Sequence, residues 1–380
     1  MARYDFGMKC SRCRSSLFLT LTAVFLFAAA ACGQNVTSGP WVMQSSGTKA
    51  GLRGIHAVGG GVAWASGTNG TVLRTEDGGY MWQSCAMPPG AEKLDFRGIW
   101  AWDEKTAIVM SSGPGDLSRL YKTTDGCSSW KLLFTNPDKD GFWDAVVFSD
   151  WKNGFVLGDP VNGHFVLLRT EDSGGGWTPI QTADLDAGGQ RRGAFAASNS
   201  AMALTGPVMG PVWAPWFGTG GQGGALVYRG GIDCTMGLAH SSPEECLKHW
   251  TFEHGKVPVA RENAAAGVFS LALRDSQHWV AVGGDYLKPN ESTSTAAWTA
   301  DGGKTWTAAE KPPHGYRSAV AWDADAKAWI AAGTNGSDVS YDDGKTWTPL
   351  DTGNWNALSL PWVVGPDGRI AKLGSLPANK

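Results

Sequence analysis

The sequence predicts an all-β fold, a seven-bladed β-propeller with Asp-box turns whose ring is closed by a strand from the N-terminal end. Three observations carry the prediction. A turn motif recurs five times, the residues between copies spell out four short strands per unit, and the last unit lacks one strand that an early segment supplies. The composition agrees: 52 glycines, 20 tryptophans and 18% charged residues suit many short strands joined by tight turns and packed through aromatic rings.

The motif occurs at Thr75-Glu76-Asp77-Gly78-Gly79 with Trp82, Thr123-Thr124-Asp125-Gly126 with Trp130, and Thr170-Glu171-Asp172-Ser173-Gly174 with Trp177. It returns at Thr299-Ala300-Asp301-Gly302-Gly303 with Trp306 and at Ser340-Tyr341-Asp342-Asp343-Gly344 with Trp347. The hydroxyl and carboxylate can accept hydrogen bonds from turn N–H groups, glycine permits positive φ, and the Trp falls on the next strand. One copy is weak evidence; five at repeat spacing are strong. These Asp and Trp residues are expected to serve structure.

Around the turns the blades fall at about 51–87, 96–136, 142–182, 191–256, 266–310, 315–351 and 354–376. The fourth has no Asp-box. Its strands are expected at 193–197, 201–205, 224–229 and 249–253, with one Gly/Pro/Trp-rich insertion at 206–223 and another bracketed by Cys234 and Cys246. The seventh blade has three strands, and Trp41-Val42-Met43-Gln44, within segment 41–46, matches the missing fourth. Closing the ring in this way hides two sheet edges.

Residues 1–31 read as an export signal, with Arg3, Lys9, Arg12 and Arg14 ahead of an apolar run that reaches Cys32. Ala29-Ala30-Ala31-Cys32 resembles a bacterial lipobox, so Cys32 is expected to carry lipid and anchor the chain in the cell envelope; plain secretion after Ala31 is the alternative. The remainder keeps 28 basic and 34 acidic residues, a net charge of −6, which disfavours nucleic acid as a partner. An exported chain favours disulfides. Cys234–Cys246 is the expected pair and Cys85–Cys127 a possible one. No metal-site spacing and no cofactor motif is present.

Strand alternation puts the start of every innermost strand on one face. Arg53, Arg97, Arg192 and Arg317 stand there, Asp144 takes the equivalent place in the third blade, and Arg261 with Glu262 precedes the fifth. Asp159 and Asp285-Tyr286 join from second strands. Such arginines suit carboxylate or phosphate groups, and they equally suit a structural plug of ion pairs. Trp213 and Trp216, in the insertion of the fourth blade, are expected on the same face, either as a recognition element or folded over the channel.

The run from Trp64 to Gly79, Trp-Ala-Ser-Gly-Thr-Asn-Gly-Thr-Val-Leu-Arg-Thr-Glu-Asp-Gly-Gly, and Gly333-Thr334-Asn335-Gly336 before the sixth turn resemble the photosystem II stability/assembly factor-like family of BNR/Asp-box propellers. That resemblance implies a monomeric, non-catalytic scaffold that binds a membrane-protein partner partly through an arginine-bearing surface. Asp-box propellers also include sialidases and other glycoside hydrolases. The likeness to those implies an arginine triad, a Tyr/Glu nucleophile pair and an Asp acid, but the Arg-Ile-Pro start of their first catalytic strand is missing here. Asp144, Asp159, Glu262 and Asp285 are the carboxylates such an enzyme would use on an anionic glycan.

Overall fold

A computed structural model describes residues 39–189, 192–209, 212–233, 246, 248–260 and 262–378. The leader, Cys32, Cys234 and Arg261 lie outside these residues. Seven antiparallel sheets follow one another along the chain. Their innermost strands are Leu52–Gly59, Phe96–Ala101, Trp143–Phe148, Met202–Met209, Asn263–Leu273, Ala319–Asp323 and Ala357–Ser359. Each innermost strand touches the next and the last touches the first, so the sheets are the blades of a closed seven-bladed propeller.

The ring is sealed in the seventh blade. Trp41–Gln44 pairs antiparallel with Ile370–Leu373 in the register Trp41↔Leu373 to Gln44↔Ile370. Its side chains reach both neighbouring blades. Trp41 Nε1 donates to Ser337 Oγ of blade six at 2.9 Å, while Gln44 Oε1 accepts from Trp82 Nε1 of blade one at 2.9 Å and Trp362 Nε1 of its own blade at 3.1 Å.

All five Ser/Thr-x-Asp turns share one hydrogen-bond pattern. In the fifth blade Thr299 Oγ1 donates to Asp301 Oδ1 at 2.7 Å and accepts from Gly303 N at 3.1 Å, and Asp301 Oδ1 accepts from Thr305 N at 3.0 Å. The turns at Asp77, Asp125, Asp172 and Asp342 repeat it. Donors converging on the carboxylates hold Asp125 and Asp301 down to about 2. Trp82, Trp130 and Trp347 are buried; Trp177 and Trp306 are half-buried. Between blades the packing is largely aromatic, as where Trp64 meets Trp130 edge-on at 6.5 Å.

The fourth blade departs from expectation. Its innermost strand is Met202–Met209 and its second is Val212–Gly218, followed by Leu226–Ile232 and Trp250–Lys256. What looked like an insertion is therefore a strand of the sheet. Trp216 and Phe217 lie in the core, with Trp216 stacked at 4.2 Å on Trp279 of blade five. Residues 193–197 form no strand. Gly193 still bridges Gly220, and the ladder resumes only at Met202↔Phe217, so residues 194–200 leave the blade and enter the channel.

That excursion ties the ring together from within. Asn199 Nδ2 donates to Ile99 O at 3.2 Å and Val146 O at 3.0 Å, and its Oδ1 accepts from Val146 N at 2.8 Å. Ser198 Oγ donates to Ser318 O at 2.7 Å, Ser200 Oγ shares a proton with Ser270 Oγ at 2.7 Å, and Phe195 stacks on Phe269 at 3.8 Å. One segment of blade four thus contacts blades two, three, five and six.

Cys85 and Cys127 form a disulfide between the first two blades, with Cα atoms 5.2 Å apart. Cys246 is buried with a free thiol, and Cys234, its expected partner, lies outside the described residues.

Candidate functional site at the arginine end of the channel

Four innermost strands carry the same irregularity near their start. The register slips between Leu52 and Gly54, Phe96 and Gly98, Trp143 and Ala145, and Val268 and Ser270. Arg53, Arg97, Asp144 and Phe269 are therefore the extra residues of β-bulges, which re-aim a side chain out of the ladder. The glycine after each arginine has a steric cause. A Cβ on Gly54 would lie 2.6 Å from Ser66 Oγ and 3.0 Å from the carbonyl of Arg97.

Arg53 and Arg97 meet over Asp95, a residue the sequence reading did not single out. Arg97 Nε donates to Asp95 Oδ2 at 2.8 Å, and Arg53 Nε stands 3.9 Å from Asp95 Oδ1. Arg97 Nη1 also donates to Ala196 O, at 3.2 Å, on the segment inside the channel. Among the described residues nothing accepts from either Nη of Arg53 or from Nη2 of Arg97, and the two side chains are 34% and 28% exposed. Burial lowers the affinity of Arg53 for its proton and Asp95 opposes that loss. An aromatic wall completes the mouth. Phe269 stacks on Phe195, meets buried Tyr316 edge-on at 4.8 Å, and meets half-exposed Tyr286 at 6.2 Å.

Arg317 does not join them. It is fully buried, its Nε donates to Asp338 Oδ2 at 2.6 Å, and its Nη1 donates to Tyr316 O at 2.6 Å and Asn335 Oδ1 at 2.5 Å. It stands one place earlier than Arg53 does: Arg317 N donates to Gly283 O of the preceding blade as Leu52 N donates to Gly365 O, and the ladder of blade six runs without slip from Ala319. Arg192 is also elsewhere. Its Nη2 donates to Gly223 O at 2.6 Å, and with Glu262 it lines a separate cavity of about 430 Å³ beside the third strand of blade four.

The four candidate carboxylates do not face one another across an open cleft. Asp144 is buried, with Oδ2 lacking any hydrogen-bond partner, and burial first, then the charge of Asp159, raises its pKa well above the usual range. Asp159 accepts from Ala194 N at 3.0 Å, and burial raises it to about 6. Asp285 caps a turn, accepting from Leu287 N at 3.0 Å and Asn263 Nδ2 at 3.2 Å. Trp213, 36% exposed, sits on the second strand of blade four close to the hairpin end, so it lies at the opposite end of the channel from the arginines. Among the described residues no cluster of three or more His, Cys, Asp or Glu is placed to hold a metal ion.

No family model and no curated protein matches this chain. Solved structures do. "YCF48 bound to D1 peptide" aligns at a TM-score of 0.58 and 15% identity over 88% of this chain and 97% of its own. YCF48 from Cyanidioschyzon merolae aligns at 0.39 and 15% over 88% and 99%, and the GH74 xyloglucanase from Xanthomonas campestris at 0.37 and 16% over 86% and 53%. At these identities the first likeness shows a shared propeller fold, and the other two are too distant to add to it.

Proposed function

We propose that the protein is a non-catalytic binding propeller of the photosystem II stability/assembly factor-like, Asp-box type. It takes a carboxylate-bearing segment of a protein partner at Arg53 and Arg97. The observation that carries this reading is the set of unpartnered Nη groups on two bulged arginines that meet over Asp95. Such a fork matches carboxylate geometry. A protein of the same fold is known bound to a peptide, which agrees with that use of the fold.

Export and lipid attachment through Cys32 would place the binding face next to a membrane-embedded partner, consistent with the leader-like residues 1–31. Glycoside hydrolysis is the weaker reading. Its two carboxyl groups need a cleft with roughly 5–10 Å between them, whereas Asp144 is buried and Asp159 is bonded to Ala194 N.

The test is capture of crosslinked partners from native membranes, with the intact protein and with Arg53→Glu/Arg97→Glu. The double variant should stay folded, with a lowered unfolding midpoint because Asp95 and Ala196 O lose Arg97, and should lose the captured protein at moderate salt. Retrieval of the same partner by the double variant would refute the site.

A further inference from the structure

The opposite end of the channel holds a second concave site, made by different residues. Along the innermost strands Arg53, Arg97 and Asp144 come first, and His56, Trp100 and Phe148 come later, so the second group faces the far end of the axis. There a cavity of about 420 Å³ is lined by blades seven, one, two, three and four. That size lies within the roughly 300–1,000 Å³ of small-molecule sites. Its walls are aromatic and aliphatic, including Ile55, His56, Trp100, Phe148, Met202 and Leu204, and Trp213 forms its exposed lip.

The floor is Ser198, Asn199 and Ser200, whose polar atoms are already engaged with Ile99, Val146, Ser270 and Ser318. Among the described residues no Asp, Glu, Lys or Arg lines the cavity. His56 is the one titratable group among the described lining residues. Its Nδ1 accepts from Ala101 N at 3.2 Å, so the neutral ring carries its proton on Nε2, and burial keeps it neutral by lowering its pKa to about 4. Among the described residues nothing accepts from that Nε2. Ser359 Oγ accepts from Ala57 N at 3.0 Å, which leaves its own proton to donate. The ring of His56 lies on Trp100 with centroids 4.2 Å apart.

We infer that this cavity binds an uncharged, planar aromatic molecule bearing a hydrogen-bond acceptor. The occupant slides between the His56–Trp100 pair and Trp213 and takes a hydrogen bond from His56 Nε2 or Ser359. A charged ligand finds no counter-ion there, and burying an unpaired charge is costly. This site shares no residue with the arginine end and does not depend on the function proposed for it.

The experiment is a titration of the full-length protein with 6-propionyl-2-(dimethylamino)naphthalene, a neutral bicyclic ketone whose emission shifts to the blue in apolar surroundings. One saturable site per chain is expected, with binding weakened about tenfold in Trp213→Ala, the loss of one good aromatic contact. In Ser149→Phe, which fills the mouth from a surface turn, binding is abolished. 1-Anilinonaphthalene-8-sulfonate, a ring system of similar size with a fixed negative charge, should bind at least about tenfold more weakly. Equal binding of the two probes, no saturable site, or a site indifferent to both substitutions would overturn the inference. Indifference would place the probe in the other large apolar cavity, which lies along Phe165, Leu167, Trp177 and Ile180.

Discussion

Arg317 and Asp338 are buried together with no exposed side-chain surface, linked through two nitrogens of the guanidinium, with His314 Nδ1 2.8 Å from the carboxylate. Arg317→Ala would leave that carboxylate short of its main charge partner and should cost about 3–5 kcal/mol, read as a lower urea midpoint. Asp159 makes the opposite case. Its carboxyl is held at about 6 in the folded chain, above its usual 3.8, so the folded state resists ionisation. That penalty is in full force at pH 7 and fades as pH falls from about 6 towards 4. Asp159→Asn, whose amide oxygen still accepts from Ala194 N, should stabilise the protein by up to about 3 kcal/mol at pH 7 and by nothing at pH 3.5. Urea unfolding of both chains at the two pH values checks the sign. The sequence put Arg53, Arg97 and Arg317 in one class because each precedes an apolar strand. What separates them was also visible, since glycine follows the first two and Ser318 follows the third. Glycine is needed where a neighbour crowds the turn, as Ser66 Oγ and the Arg97 carbonyl do at Gly54, whereas Ala145 and Ser270 follow the bulged residues of blades three and five.

At the scale of one segment, residues 194–200 do more than connect. Asn199 alone accounts for three hydrogen bonds to two other blades. Asn199→Ala leaves Val146 N and two carbonyls unpaired in the interior and should cost about 2–4 kcal/mol. Faster amide exchange at Val146 is the local readout. The Ser/Thr-x-Asp turns were legible because their chemistry is local: hydroxyl, carboxylate and donor N–H groups all lie within a few residues. The fourth blade was not. Val212-Trp213-Ala214-Pro215-Trp216-Phe217 is broken by proline and lacks clean alternation, so it reads as an exposed loop, yet Ala214 and Phe217 are fully buried. The strand expected at 193–197 failed because Ala196-Ala197-Ser198-Asn199-Ser200 is small and polar and threads a channel already lined by other strands.

For the molecule as a whole, closure was readable from both ends of the sequence: a blade short of one strand and a strand short of a blade. The observed register of Trp41–Gln44 on Ile370–Leu373 agrees with that reading. Trp41 is buried, bonded to Ser337 and packed 6.1 Å from the ring of Trp355. Trp41→Ala should cost about 3–5 kcal/mol, and hydrogen exchange along Ile370–Leu373 should rise before that of any other blade. The arginine end was half legible. Position in the repeat located the bulged residues, but Asp95, Phe195 and Tyr316, which shape the mouth, come together only through tertiary packing.

Residues 194–200 also decide what the axis of the ring can transmit. With Asn199 bound to one side of the wall and Ser198 to the other, the hole through the disc is stoppered halfway. An occupant at either end rests against opposite surfaces of the same thin partition, so both ends can be filled at once without competing for space.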